Sequence, residues 1–132
     1  MSSYTIVNLM DVEGSDMAAE QGIEMRFGRK HLDSEHLGVT YVRYAPNLRP
    51  SMGHSHRQQE EAYVVVEGSG RVRLDDEIRD VRRWDVIRVA PEVVRAFEAG
   101  PEGLVIIAVG GPKPEGGDGV AADTPWPDEP QR

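Results

Sequence analysis

The sequence predicts an all-β protein that folds as one small, closed barrel. Short runs rich in Val, Ile, Tyr and Thr recur along the chain, and Gly, Pro, Asp and Asn separate them. Helical periodicity is nearly absent, which favours a β-sandwich or barrel. At 132 residues the chain has the usual size of one domain, and it can bury a hydrophobic core without disulfide or metal support.

Nine strands are predicted from these runs, a number that suits a closed barrel. They span residues 4–9, 22–26, 39–45, 52–56, 61–66, 70–74, 86–89, 93–98 and 104–109. Turn-forming residues predict hairpin tips at 67–70 and 75–77, and loops at 46–47 and 100–103. The stretch 11–21 stays open, because its composition allows a short helical turn without requiring one.

Composition excludes several kinds of partner and chemistry. The formal net charge is −8, whereas nucleic-acid binding depends on clustered Lys and Arg, so neither DNA nor RNA is expected as a partner. The chain has no cysteine, which excludes disulfides, thiolate metal sites and a cysteine nucleophile. Because no apolar run approaches the length of about 20 residues that a membrane span requires, and no signal-peptide pattern begins the sequence, we expect a cytoplasmic protein with no membrane partner.

The composition changes after residue 111, where we place the end of the barrel domain, 1–111. Residues 112–132 hold five of the nine prolines, with several glycines and an acidic excess. Such a composition disfavours a packed core. We therefore expect a short irregular C-terminal tail, flexible or docked, in which Trp126 is the side chain suited to docking on the barrel or on a neighbouring subunit.

Two histidines and a glutamate form the most informative pattern in the sequence. Side chains alternate between the faces of a strand, so His54 and His56 project to one side and can converge on one ion. After a turn through 57–60, an antiparallel strand would bring Glu61 back beside them, with Tyr63 on the same face. Two imidazoles and a carboxylate suit a divalent ion of iron, manganese, nickel, zinc or copper. The alternative is a chance pair of histidines in a polar turn, with Glu61 in solvent.

The same segment resembles the first conserved motif of the cupin family, G-x5-H-x-H-x3,4-E-x6-G. His54, His56, Glu61 and Gly68 match the motif in type and spacing, while Leu48 stands in place of the opening glycine. That glycine serves a turn and takes no part in the chemistry. The resemblance therefore implies that His54, His56 and Glu61 are metal ligands.

Residues 84–99 lie where the second cupin motif, G-x5-P-x-G-x2-H-x3-N, should follow. Its rhythm of strand, turn and strand is kept, but Arg95 stands in place of the histidine ligand and Pro91 comes one position late. The resemblance covers residues 39–109 and implies a single cupin barrel, a jelly-roll-like double-stranded β-helix with a site in its mouth, often as a homodimer. Cupins range from oxygenases and isomerases to proteins that only bind or store a ligand, and the fold alone does not choose among these.

Arg95 conflicts with a metal if it points inward as the matching histidine would. At an effective dielectric of about 20, a single charge about 5 Å from a dication is repelled by roughly 6 to 7 kcal/mol. Three arrangements resolve this conflict: Arg95 pairs with Glu61 in place of a metal, it extends to the barrel mouth and pairs with Glu60 or Glu98, or it clamps an anionic substrate. The second and third together are favoured, and they leave a three-ligand metal site with open positions.

Two functional hypotheses follow. In the first, the barrel binds a divalent metal and acts on a small, anionic organic molecule as an oxygenase or isomerase, with Arg95, Tyr63 and Phe97 as substrate-binding residues. In the second, it is a non-catalytic binding or sensing protein in which Arg95 pairs with Glu61. The remaining histidines lie in a polar connection and are expected at the surface: His31 and His36.

Overall fold

The computed structural model of the protein describes residues 3–123 and residue 126. Within these residues eight strands join in one curled sheet, which is the all-β barrel that the sequence predicts. The strands are β1 (Ile23–Phe27), β2 (Gly38–Tyr44), β3 (Met52–His56), β4 (Glu61–Leu74), β5 (Glu77–Arg82), β6 (Val86–Val89), β7 (Arg95–Gly110) and β8 (Gly119–Asp123). The helices are short: a 3-10 helix at Leu9–Asp11, α1 at Asp16–Glu20 and α2 at Arg29–Leu32.

The sheet is built around its two longest strands. Strand β7 pairs with β2, β3 and β4, and β4 also pairs with β5 and β6, all antiparallel. Strand β1 extends the sheet beyond β2, and β8 extends it beyond β3. The most deeply buried apolar side chains come from the two long strands: Val65, Val72, Leu104 and Ile106. No helix in the described residues is long and apolar enough to cross a membrane.

The predicted hairpin tip at 67–70 and the predicted loop at 100–103 are both wrong, because β4 and β7 run through them. A Cβ at Gly70 would lie 2.0 Å from the carbonyl oxygen of Glu98, and one at Gly68 would lie 2.1 Å from that of Gly103. These glycines therefore let two backbones approach closely at the register shifts of the β4–β7 pair. The predicted tip at 75–77 is confirmed, since Asp75 and Asp76 form the turn into β5.

The strand predicted at residues 4–9 is also wrong. Tyr4 and Ile6 alternate with a polar residue, as in a strand with one buried face. Their side chains are nevertheless 75% and 87% exposed, and the segment ends in the 3-10 helix. Two strands were missed. Strand β5 is rich in charged residues, and β8 lies within the segment whose composition predicts an irregular tail. Beyond β8, the Trp126 ring lies against the guanidinium groups of Arg49 and Arg71, at 4.7 and 5.4 Å from the ring centroid.

Candidate metal and ligand site

Three of the predicted site residues come together at one point of the barrel. The alternation of β3 places His54 and His56 on one face, and their rings meet edge to face with centroids 4.9 Å apart. Glu61 is the first residue of β4. One ligand atom from each of the three residues lies within 4.8 Å of the others, so the set could hold a metal ion.

The Oε1 atom of Glu61 is the centre of this cluster. It lies 3.0 Å from Nε2 of His56 and 3.5 Å from Nε2 of His54. Tyr63, two residues along β4, donates its hydroxyl proton to the same oxygen at 2.6 Å. The exposure of the two imidazoles differs, because the His54 side chain is 43% exposed and that of His56 only 11%. The cluster therefore reaches from the buried interior to solvent.

The charges of this cluster depend on burial and on its hydrogen bonds. Burial alone would raise the pKa of Glu61, but hydrogen bonds from His54 and Tyr63 and the electrostatic influence of the two histidines together lower it to about 2. Burial and the neighbouring Glu61 charge raise the pKa of Tyr63 well above its usual range. Glu61 is therefore an ionised acceptor at neutral pH, and Tyr63 is a neutral donor that orients it.

Asp118 is a site residue that the sequence did not predict. It precedes β8, which runs beside β3, and its side chain is only 2% exposed. Its Oδ1 lies 2.9 Å from Nδ1 of His56, and its Oδ2 accepts the backbone N–H groups of Gln58 and Gln59, each at 2.7 Å. A carboxylate can only accept, so Nδ1 of His56 carries the proton.

The tautomer of His56 determines whether its Nε2 atom can act as a metal ligand. With the proton on Nδ1, Nε2 of a neutral His56 carries a lone pair. That buried Nε2 has no hydrogen-bond partner in the described part of the chain, although Glu61 Oε1 is 3.0 Å away. Two electron-pair donors at this distance repel each other unless a cation stands between them, either a proton or a metal ion. The residues present therefore fit a divalent metal ion held by His54, His56 and Glu61.

Arg95 lies beside this cluster because it pairs with His54 across β3 and β7. Its side chain is fully buried, and its Nη2 is 4.0 Å from Glu61 Oε1. Nε has no hydrogen-bond partner among residues 3–123 and 126. The two Nη atoms donate, at 3.0 to 3.4 Å, to three backbone carbonyls: those of Ala90, Pro91 and Val93.

The prediction that Arg95 extends to the barrel mouth is wrong. The turn before β7 holds the guanidinium inside the protein, where carbonyl dipoles partly offset its charge. The partners expected for it are bound by other arginines: Glu60 by Arg88 at 3.1 Å, and the buried Glu98 by Arg49 at 2.6 Å and by Arg71 at 2.8 Å. Nor does Arg95 form a close pair with Glu61, since 4.0 Å is longer than a hydrogen bond.

A cavity of about 630 Å³ adjoins the cluster. His54, His56, Glu61, Tyr63, Phe97 and Arg95 all line it, so the structure brings every predicted site residue to one cavity. Phe97 packs against Tyr63 with ring centroids 5.0 Å apart. His31 and His36 lie elsewhere at the surface, as predicted, where they contact Glu13 at 3.4 Å and Glu35 at 3.7 Å.

Solved structures of similar fold include cupins. A sugar phosphate isomerase of the cupin superfamily from Silicibacter pomeroyi is 20% identical, with a TM-score of 0.73 over 92% of this chain and 83% of its own. A cupin protein from Bacteroides fragilis is 19% identical, with a TM-score of 0.68 over 91% of this chain and 92% of its own. A variant of oxalate decarboxylase from Bacillus subtilis is 22% identical, with a TM-score of 0.71. The match covers 91% of this chain but only 33% of that protein.

These similarities establish the fold, and the site agrees with it. The sequence matches no protein-family model, and no curated protein matches it either. The described residues form one barrel of the cupin fold, with a histidine and glutamate cluster inside it that could bind a metal.

Proposed function

We propose that the protein binds one divalent transition metal through His54, His56 and Glu61 and acts on a small anionic organic molecule as an oxygenase or isomerase. The observation that carries the proposal is the meeting of both histidine Nε2 atoms with Glu61 Oε1, at 3.5 and 3.0 Å. When bound, a metal with three protein ligands keeps open positions and supplies Lewis acidity to water or substrate. The isomerase and decarboxylase among the similar structures are consistent with this class of chemistry.

The remaining residues of the site orient the proposed ligands. Asp118 keeps the proton of His56 on Nδ1, so that Nε2 faces the cluster as a donor of electron density. Tyr63 donates to Glu61 Oε1 and restricts the rotation of that carboxylate. The fully buried Arg95 adds a positive charge beside Glu61, which favours an anionic ligand in the adjoining cavity.

A second candidate is a binding or sensing protein without metal or turnover. Here Arg95 would neutralise Glu61, and the 4.0 Å contact between Arg95 Nη2 and Glu61 Oε1 favours that arrangement. The hydrogen bonds of Arg95 to three backbone carbonyls favour the first candidate, because they occupy much of the guanidinium that such a pair would use.

Metal content separates the two candidates. Untagged protein is reconstituted anaerobically with iron(II), manganese, nickel, copper and zinc in turn, desalted and assayed by elemental analysis. We expect about one equivalent of at least one metal in the wild type and less than about a tenth in His54→Ala. The matched control is His36→Ala, which removes an exposed histidine outside the cavity and should keep the metal. Less than about a tenth of an equivalent of every metal in the wild type would favour the metal-free candidate.

A further inference from the structure

We infer that the ligand of this cavity is an amphipathic organic acid, with an anionic head on an apolar body, and that it is neither a sugar derivative nor a short diacid such as oxalate. The inference deepens the proposed function and rests on it for what happens to the ligand. The class of ligand follows from the cavity walls alone, because walls select what binds whether or not a metal is present.

The walls of the cavity are mostly apolar. The apolar side chains that matter here come from β1, β2 and β7 and from the start of β3: Ile23, Met25, Val42, Met52, Phe97 and Ile106. Ile23, Val42, Phe97 and Ile106 are buried, so this part of the wall is largely shielded from bulk water. A volume of about 630 Å³ is within the range of small-molecule sites. An apolar ligand body gains free energy there by leaving water.

The charges around the cavity oppose those of the protein as a whole. The chain has a formal net charge of −8. The cavity is nevertheless lined by four cationic side chains, Arg29, Lys30, Arg95 and Lys113, against two carboxylates, Glu61 and Asp118. The cationic side chains outnumber the carboxylates, so an excess of positive charge is available to an anionic ligand.

The two lysines mark where the anionic head would lie. Lys30 and Lys113 are exposed and yet line the cavity, which puts them where the cavity meets solvent. They are also the only lysines in the sequence, so both lysines of an acidic protein line this cavity. A ligand with its anionic head near the two lysines and its apolar body against the buried wall would make favourable contacts with both.

Uncharged side chains that would hydrogen-bond the hydroxyls of a sugar are few in this wall. The amide and hydroxyl side chains in the described lining are Gln21, Thr40, Gln59, Tyr44 and Tyr63. The Gln59 amide donates to the carbonyl of Gly111 at 3.0 Å, and Tyr63 donates to Glu61. Burying the several hydroxyls of a sugar against such a wall would leave hydrogen bonds unmade, at a cost in affinity.

A series of straight-chain carboxylates tests the inference by calorimetry. Butyrate, hexanoate, octanoate and decanoate are titrated into wild-type protein, both metal-loaded and metal-free, beside oxalate, gluconate and 1-octanol. We expect affinity to rise about threefold to fourfold for each methylene until the cavity is full. Octanoate should bind at least about tenfold more tightly than gluconate or oxalate, and also more tightly than the uncharged 1-octanol.

Two pairs of variants localise the binding. Met52→Gln makes the wall polar and should weaken octanoate binding about threefold or more, whereas Met10→Gln, at nearly the same exposure (49% against 48%) but outside the cavity, should not. The double variant Lys30→Gln/Lys113→Gln should weaken octanoate about threefold at low salt and leave 1-octanol unchanged. Its control, Arg79→Gln/Arg82→Gln, removes the same charge from exposed positions of β5.

Failure of this inference is distinct from failure of the metal proposal. Affinities that do not depend on chain length, or gluconate or oxalate binding as tightly as octanoate, would overturn the amphipathic ligand even if the protein binds metal. Equal binding of 1-octanol and octanoate would overturn the anionic head. If the protein binds no metal but its affinity for carboxylates still rises with chain length, the ligand class is supported and the metal proposal fails.

Discussion

Asp118 joins the C-terminal segment to the candidate metal site. Its carboxylate contacts the ring of His56 and caps two backbone N–H groups of the turn between β3 and β4. Burial would raise the pKa of Asp118, but the hydrogen bond from His56 and those from the two backbone N–H groups outweigh burial and lower it to about 2. The ionised form of Asp118 is therefore stabilised in the folded protein.

This depressed pKa predicts how stability depends on pH. Because the folded pKa of Asp118 is about 2 and the unfolded value is near 4, its contribution to the free energy of unfolding is fully present above about pH 4. The contribution is lost as the pH falls through about 2. Asp118→Asn should therefore be less stable than wild type at pH 6, with a difference that stays nearly constant down to about pH 4 and shrinks below it towards pH 3. Urea unfolding at several pH values measures this difference.

The control for this prediction is Asp123→Asn, which changes an exposed aspartate of β8. It should follow the wild-type stability curve across the same range of pH. A difference between wild type and Asp118→Asn that stays constant from pH 6 to 3 would mean that the carboxylate charge does not stabilise the fold.

At the residue scale the sequence predicted the three candidate ligands but not the residues that support them. His54, His56 and Glu61 lie close together in the chain, and strand alternation alone places them on one face. Asp118 contacts His56 from 62 residues away, and nothing in the surrounding Gly-rich segment distinguishes it from other surface acids. The position of Arg95 was predicted, but the direction of its guanidinium depends on three backbone carbonyls that no sequence pattern reveals.

At the scale of elements, the long β4–β7 pair determines where the site lies. The apolar runs predicted most of its residues, because a short run of apolar and β-branched residues is a local property of the sequence. Its continuity was not predicted, because glycines that permit close approach of two strands look the same in sequence as glycines that form turns. Strand β8 was missed for a different reason: its pairing with β3 depends on the assembled barrel.

Gly70 tests this account of the long strands. A Cβ at this position would lie 2.0 Å from the backbone carbonyl oxygen of Glu98, which cannot rotate away as a side chain could. We expect Gly70→Ala to lower the free energy of unfolding by about 2 kcal/mol or more. Urea denaturation measures the change, and Gly14→Ala is the control, since its nearest atom would be 3.9 Å away. Equal stability of the two variants would contradict the close approach.

At the scale of the whole molecule, the barrel combines a small polar cluster with a larger apolar cavity. The cluster lies where β3, β4, β7 and the segment before β8 meet, and the cavity extends from it between the apolar side chains of β1, β2 and β7. A metal bound in the cluster would face that cavity, so that chemistry at the metal and selection of the ligand involve separate sets of residues. The exposed Lys30 and Lys113 also line the cavity, and they form a third set of residues, whose positive charge would attract an anionic ligand.

The central claim is that His54, His56 and Glu61 hold a metal ion, and anomalous diffraction tests it most directly. Crystals grown with the metal that the protein retains are measured on both sides of that metal's absorption edge. We predict one strong anomalous peak bounded by the Nε2 atoms of His54 and His56 and by the carboxylate of Glu61. The absence of a peak there, or peaks only at the surface histidines His31 and His36, would contradict the claim.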